Sequence, residues 1–278
     1  MEYIRKNSLV IKWDLAKEAF SLGGLLILRK EIEMLGNFNS IKLGVTGAVS
    51  KNETNLIKAV FSPSVIIEPF FQKEWDWPER QVLNAAGYSY QSFDRIKVFY
   101  KKKLQKPVLK WSENEYFEAG QFLKKYRGRC YTAHLKRQGG CALEESNANL
   151  PVWLAFFKNR AQPGKKNFIL LGGDIISDEI LRVPGVVSAE NEGLSLNGQL
   201  AAISLSSGFL GMSSGICQGA IFSDIPFVIF KHPKHHVAAM TRDLDAAHGF
   251  SFFNNRQKML RAVDSYTQLE DAFRFINL

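Results

Sequence analysis

The chain has 278 residues, 46% of them apolar and 23% charged, with 36 lysines and arginines against 27 acids and hence a net charge of +9. Those proportions exclude a disordered, collagen-like or low-complexity chain, and they leave room for one large domain or two modest ones. The positive balance attracts anions, among which nucleic acid, acidic lipid and phosphorylated metabolites all qualify.

Residues 8–13 form a short apolar run that ends at Asp14 and reads as a strand. Gly23-Gly24 then reads as a loop before an amphipathic helix over residues 25–35, closed by Gly36. Residues 41–46, 65–68 and 96–100 are further strand candidates, with helices expected over 52–60 and 78–86. The result is a small α/β half. Residues 97–110 carry six lysines and Pro107, which interrupts the periodicity and reads as a linker, with the domain boundary at 110.

Ser112 and Glu115 have the spacing of a capping box that opens a helix through Tyr126. Strands follow at 130–135, 168–171, 186–187, 208–210 and 226–230, alternating with helices at 150–157, 196–205 and 214–222. A closing helix over 268–276 has its own capping spacing in Thr267 and Glu270. Strands alternating with helices imply parallel sheets covered on both faces, so the expected fold class is α/β, in domains 1–110 and 111–278.

Cys130, Cys141 and Cys217 lack CxxC spacing, which argues against a disulfide framework and for a reducing compartment. No apolar run is long enough to span a bilayer, so the expectation is a cytoplasmic protein whose basic face can sit peripherally at the inner side of an anionic membrane.

The most informative stretch is Gly208-Phe-Leu-Gly-Met-Ser-Ser-Gly-Ile-Cys-Gln-Gly-Ala220, between a strand and a helix. Its glycines permit close backbone approach. Ser213, Ser214 and the amides opening the next helix can hold phosphate oxygens, with Gly215 and Gln218 in the same turn. The alternative is a tight turn with a serine cap. P-loop spacing and GxGxxG are both lacking, which weakens ATPase and nicotinamide-dehydrogenase readings.

His134, Lys136 and Arg137 fall at the end of the strand over 130–135, where parallel α/β sheets bind ligands, although a half-buried histidine and a solvated arginine would look the same. Glu145, with Ser146 and Asn147, fits either a binding loop or a capped helix start. Leu170-Leu-Gly-Gly-Asp174 repeats the strand, glycine and acid pattern; Gly172 would make room, and Asp174 would either meet a ribose or base edge or cap the turn. His232-Pro-Lys-His-His236 invites a metal but lacks acidic or cysteine ligands nearby, so a site-edge loop is the plainer reading. Asp243-Leu-Asp245 is spelled like a metal-binding acid pair and placed like a helix start.

Three blocks, Leu194-Ser-Leu-Asn-Gly-Gln-Leu-Ala-Ala-Ile203, Gly208-Phe-Leu-Gly-Met-Ser-Ser-Gly215 and Pro226-Phe-Val-Ile-Phe230, resemble the nucleotide-sugar-binding half of GT-B glycosyltransferases, of the heptosyltransferase-like and fucosyltransferase-like kind. The resemblance covers residues 129–231. It implies two Rossmann-like domains with parallel sheets, an active site in the cleft between them, and a nucleoside diphosphate sugar donor. It also implies a glycan or glycolipid acceptor and neither an obligatory metal nor another cofactor. The donor would be held by His134, Lys136, Arg137, Gly172, Asp174, Ser213, Ser214, Gly215 and Gln218.

His134-Leu-Lys-Arg137 resembles the His-x-Arg strand end of fucosyltransferase-like enzymes, except that Lys136 stands at the arginine position and Arg137 follows on the opposite face. Asp14 and the Gly23-Gly24 loop would then face the acceptor, and Asp14 or Glu145 would serve as base. Two rivals remain: a basic nucleic-acid-binding α/β protein, since Lys101-Lys-Lys103 adjoins Phe99 and Tyr100, and a catalytically silent sugar-nucleotide-binding relative. Without a recognisable RNA-binding motif, nucleic acid is not the expected partner.

Overall fold

A computed structural model describes residues 8–15, 19–36, 40–61, 65–69, 82–84, 88–137, 146–235, 237 and 248–278. The chain divides into two units, Met1–Gln105 and Lys106–Leu278.

In the first unit, β1 (Ser8–Asp14) buries Leu9, Ile11 and Trp13, the period-2 pattern of one strand face. It pairs in parallel with β2 (Ser40–Thr46) on one side and β4 (Val82–Asn84) on the other, and β3 (Val65–Pro69) adds beyond β2. Parallel neighbours require crossovers, which α1 (Leu22–Leu35) and α2 (Lys51–Phe61) supply. Gly23-Gly24 is not a loop. Ser21 caps α1 by accepting from the Gly24 N–H at 3.1 Å, so both glycines lie in its first turn.

The expected strand over 96–100 and much of the expected linker are instead helix α3 (Tyr88–Lys103). Ser92, Phe93, Ile96 and Lys97 are buried while Asp94, Val98, Lys101 and Lys102 face solvent, a 3.6-residue period that a five-residue window cannot display. Buried Glu31 of α1 accepts from the Ser92 hydroxyl at 2.8 Å and pairs with Arg95, fixing α3 to α1. The helix expected over 78–86 gives way to β4 at its centre, with its flanks outside the described residues.

The second unit places β5 (Arg129–His134), β6 (Lys166–Leu170), β7 (Val186–Ser188), β8 (Phe209–Met212), β9 (Phe227–Phe230) and β10 (Gln257–Leu260) in one sheet, ordered β7-β6-β5-β8-β9-β10 and parallel throughout. Every residue of β8 and β9 is buried, as strands covered on both faces must be. The covering helices are α4 (Glu113–Lys124), α5 (Leu150–Arg160), α6 (Asp178–Leu181), α7 (Leu196–Leu205), α8 (Cys217–Ile221) and α9 (Tyr266–Ile276). Tyr131, Phe156, Phe157, Phe168 and Phe273 form the aromatic heart of the core, with ring centroids 5.0 to 5.7 Å apart.

The Ser112–Glu115 capping box opens α4 as expected, with Glu115 N 3.3 Å from Ser112 Oγ. The closing helix starts earlier than expected. Ser265, not Thr267, accepts from the Gln268 N–H at 3.3 Å, and Glu270 is occupied by Arg160 of α5 instead of capping. The helix expected over 214–222 shrinks to the five residues of α8, leaving Ser213, Ser214 and Gly215 in a loop.

In both sheets the first strand is central and the chain reverses direction of growth between its first and fourth strands. Ligands of open α/β sheets bind beyond the carboxyl ends of the strands at that reversal.

Candidate functional site

In the second sheet the reversal lies between β5 and β8, where His134 stands opposite Gly211. The His134 ring is buried, with Nδ1 2.9 Å from the Leu171 carbonyl oxygen. A carbonyl can only accept, so Nδ1 carries the proton and Nε2 is left as an acceptor. Nε2 is buried without a hydrogen-bond partner among the described residues, and Asp174 Oδ2 lies 3.8 Å away. Burial pushes the imidazole below its ordinary range, outweighing the Leu171 and Asp174 oxygens that favour the charged form. His134 therefore offers a neutral hydrogen-bonding edge.

Gly172 makes this arrangement possible. Its φ is +91°, and a Cβ there would stand 2.8 Å from Ile216 Cδ1 and 3.2 Å from the His134 ring. Its N–H donates to Gln199 Oε1 at 2.8 Å. Asp174 Oδ1 accepts from the Arg137 backbone N–H at 2.7 Å, tying the segment after β5 to that after β6, while the Arg137 side chain is exposed.

Positive charge gathers along the same edge. Lys136, two residues past β5, is buried and donates to Ser146 Oγ at 3.0 Å. Lys231, directly after β9, is buried with Nζ 3.4 Å from Ser213 Oγ. Arg261, directly after β10, donates through Nη2 to the Pro233 carbonyl, and its Nη1 is buried without a partner among the described residues. Burial pushes the Lys231 ammonium down to about 8, with repulsion from Lys136 and Arg261 acting in the same direction. Cys217 is no counter-ion, because its own burial pushes the thiol up to about 11. Among the described residues none of these three cations has a carboxylate partner. Lys136 and Lys231 are thus buried, and Arg261 partly buried, as positive charges whose chemistry suits an anion.

The loop from β8 to α8 supplies neutral contacts. The Ser213 N–H donates to the Phe230 carbonyl at 2.8 Å, and Ser214 Oγ lies 3.8 Å from Cys217 Sγ. The Gly215 carbonyl accepts from the Gln218 N–H at 3.2 Å, and Gln218 Oε1 is buried with no partner among the described residues. The helix that follows is too short to act as a dipole, and Ile216, not a serine, occupies its N-cap with no side-chain bond. The expected serine cap is therefore not formed, and in this loop Ser213 is the hydroxyl that lies beside a lysine.

In the first unit, Asp14 ends β1 partly exposed, and its Oδ1 accepts from the Thr46 hydroxyl at 2.8 Å. Glu145, Cys141, His236, Asp243 and Asp245 lie outside the described residues. His232 is buried, its Nδ1 3.3 Å from the Lys234 N–H. Among the described residues no group of three or more histidine, cysteine or acidic side chains is placed to hold a metal.

Sequence reasoning missed Lys231 and Arg261. The signal for Lys231 was present: a charged residue directly after an all-apolar strand, much as Lys136 follows Leu135. It also missed Asp264, a buried carboxylate that accepts from the Asn149 N–H at 2.7 Å and Trp153 Nε1 at 2.8 Å, and so starts α5 where Asn149 makes no side-chain cap.

No protein-family profile matches the chain, and no curated protein matches it in sequence. Solved structures match in fold. A family 9 glycosyl transferase from Veillonella parvula superposes with a TM-score of 0.56 at 11% identity, over 98% of this chain and 97% of that one. The ADP-heptose LPS heptosyltransferase II of E. coli gives 0.57 at 11% identity, over 97% and 98%. The E. coli heptosyltransferase WaaC, solved with ADP-2-deoxy-2-fluoro heptose, gives 0.53 at 12% identity, over 97% and 100%. The chain has the α/β GT-B-like fold of these glycosyltransferases, as its sequence resemblance implied.

Proposed function

We propose that the protein is a glycosyltransferase that moves a sugar from a nucleoside diphosphate donor to a glycan or glycolipid acceptor. The observation that carries this reading is the set of Lys136, Lys231 and Arg261 at the carboxyl edge of β5, β9 and β10, none of which has a carboxylate partner among the described residues. Transfer leaves a diphosphate whose negative charge must be met as the glycosidic bond breaks, and preorganised cations in a desolvated site meet it most effectively. In this reading the side chains supply that charge and no metal is required.

Ser213 and Ser214 donate to the remaining phosphate or sugar oxygens, and the acceptors Gln218 Oε1 and His134 Nε2 take hydroxyls of the donor. Asp14, oriented by Thr46, is the base that removes the acceptor proton. That a similar fold holds a nucleotide-linked heptose supports the donor class. No described helix is long and apolar enough to cross a membrane, and we place the work in the cytoplasm, peripheral to an anionic membrane face.

Thermal unfolding with ADP, GDP, UDP and a single-stranded oligonucleotide tests the reading. At about a hundredfold excess over Kd, a bound nucleoside diphosphate adds about 2.7 kcal/mol, a shift of several degrees. Stabilisation by the oligonucleotide alone, steeply weakened by salt, would overturn it in favour of nucleic-acid binding. Nucleotide binding with no release of sugar to any acceptor would overturn the enzymatic part.

A further inference from the structure

We propose that the carboxyl-terminal end of α3 is a docking surface for anionic lipid headgroups, with Lys101, Lys102 and Lys103 meeting the headgroups and Leu104 entering the acyl boundary. The proposal deepens the peripheral placement above and names the surface responsible. It concerns the first unit alone, so the donor reading and this one fail independently.

The lysine-rich stretch divides into paired and unpaired members. Lys97 is held by Asp94 at 3.1 Å, and Lys106 by Asp224 at 2.9 Å. Between them Lys101, Lys102 and Lys103 are all exposed and have no partner among the described residues. Lysines in a last turn complement the helix dipole, which accounts for charge there but not for what accompanies it.

Leu104 terminates the helix with φ +52°, its N–H donating to the Tyr100 carbonyl at 2.7 Å. That left-handed position ordinarily belongs to glycine, because a side chain there is strained. Leu104 is 78% exposed, so no burial within the chain offsets the strain. Val98, on the same side of α3 as Lys101 and Lys102, is 51% exposed. An observed backbone outlier that holds a large apolar side chain in water beside three free cations points to an apolar partner with a negative surface.

Lipid is favoured over nucleic acid by which side chains face outward. Bases stack on aromatic faces, whereas Phe99 and Tyr100 are half-buried and the exposed apolar groups at this helix end, Val98 and Leu104, are aliphatic. Each lysine close to an anionic leaflet strengthens binding severalfold, and three act together here.

The full chain is sedimented with vesicles of phosphatidylcholine alone and of phosphatidylcholine mixed with phosphatidylglycerol, at low and high salt. Partition into the anionic vesicles is expected, with steep loss as salt rises. Replacing Lys101, Lys102 and Lys103 together by alanine should lower it roughly a hundredfold. Leu104→Gly should lower it about tenfold while leaving the unfolding temperature equal or raised, because glycine relieves the left-handed strain. A merely structural leucine would not separate those two readouts. Equal binding to neutral and anionic vesicles would overturn the proposal, as would undiminished binding by the triple variant. Capture of a single-stranded oligonucleotide through the same lysines, with no vesicle binding, would overturn it in favour of nucleic acid.

Discussion

At the reversal point of the first sheet, β1 ends in Asp14 beside the Thr46 hydroxyl; at the corresponding edge of the second, β5, β9 and β10 lead into Lys136, Lys231 and Arg261. The backbones leading there are alike, since β3-β2-β1-β4 repeats the order of β7-β6-β5-β8. Topology thus fixes where chemistry can sit, and the one or two residues past the last buried strand position decide its sign. Taken unit by unit, an acid suits the removal of a proton and cations suit a phosphate dianion, the two tasks that the proposed transfer requires.

The division of labour breaks first, if it breaks, at Asp14. Asp14→Asn keeps a hydrogen-bond acceptor for Thr46 and removes the basic carboxylate. The expected loss in kcat is on the order of 10²- to 10⁴-fold, with nucleoside diphosphate affinity unchanged. Steady-state kinetics and calorimetric titration of the same preparation check both halves. A parallel fall in nucleotide affinity would mean that the two sheets do not hold separate tasks.

Lys231 tests the opposite sign. A methionine there keeps the volume of the stem and removes the charge. Losing a charge-assisted hydrogen bond costs roughly 1.5–3 kcal/mol, so nucleoside diphosphate affinity should fall about ten- to a hundredfold. Folding stability should hold or rise, because an ammonium desolvated beside two other cations is a cost the folded state no longer bears. Lower stability with unchanged affinity would assign Lys231 a packing role.

Much of this arrangement is legible in sequence, and the failures are physical. The short all-apolar runs of β8 and β9 declare strands buried on both faces, and the end of β5 places His134 and Lys136 at the carboxyl edge of the sheet. Arg261 was invisible because its strand β10 is half polar. Gln257 is buried there only because its amide donates to the Ser223 and Ile225 carbonyls at 2.9 Å, contacts more than thirty residues away in sequence. Isoleucine, valine and aromatic residues over 96–100 spell a strand locally, and only the burial of Ser92 and Phe93 shows the helical period. Thr267 lost its cap for a similar reason: Glu270 finds Arg160, 110 positions away, and the helix begins at Ser265 instead.

The finest test of the cationic edge is its pH dependence. The Lys231 ammonium is held at about 8 against an ordinary 10.5. Below pH 8 folded and unfolded chains both carry the proton, and the burial penalty is felt in full. Between pH 8 and 10.5 the unfolded chain keeps a proton that the folded chain has released, so this group's contribution to stability grows as pH rises through that window. A bound diphosphate acts in the other direction, because it favours the charged lysine. Nucleotide affinity should therefore fall as pH rises above 8, by at most about tenfold per pH unit, with net proton uptake on binding near that pH. Calorimetry at pH 7, 8 and 9 in buffers of different ionisation enthalpy reads both quantities, and Lys231→Met should flatten the affinity curve. Opposite slopes for affinity and for this group's share of stability are what a buried, anion-binding lysine requires. General alkaline unfolding would lower both together, and a pH-independent affinity would remove Lys231 from the anion site.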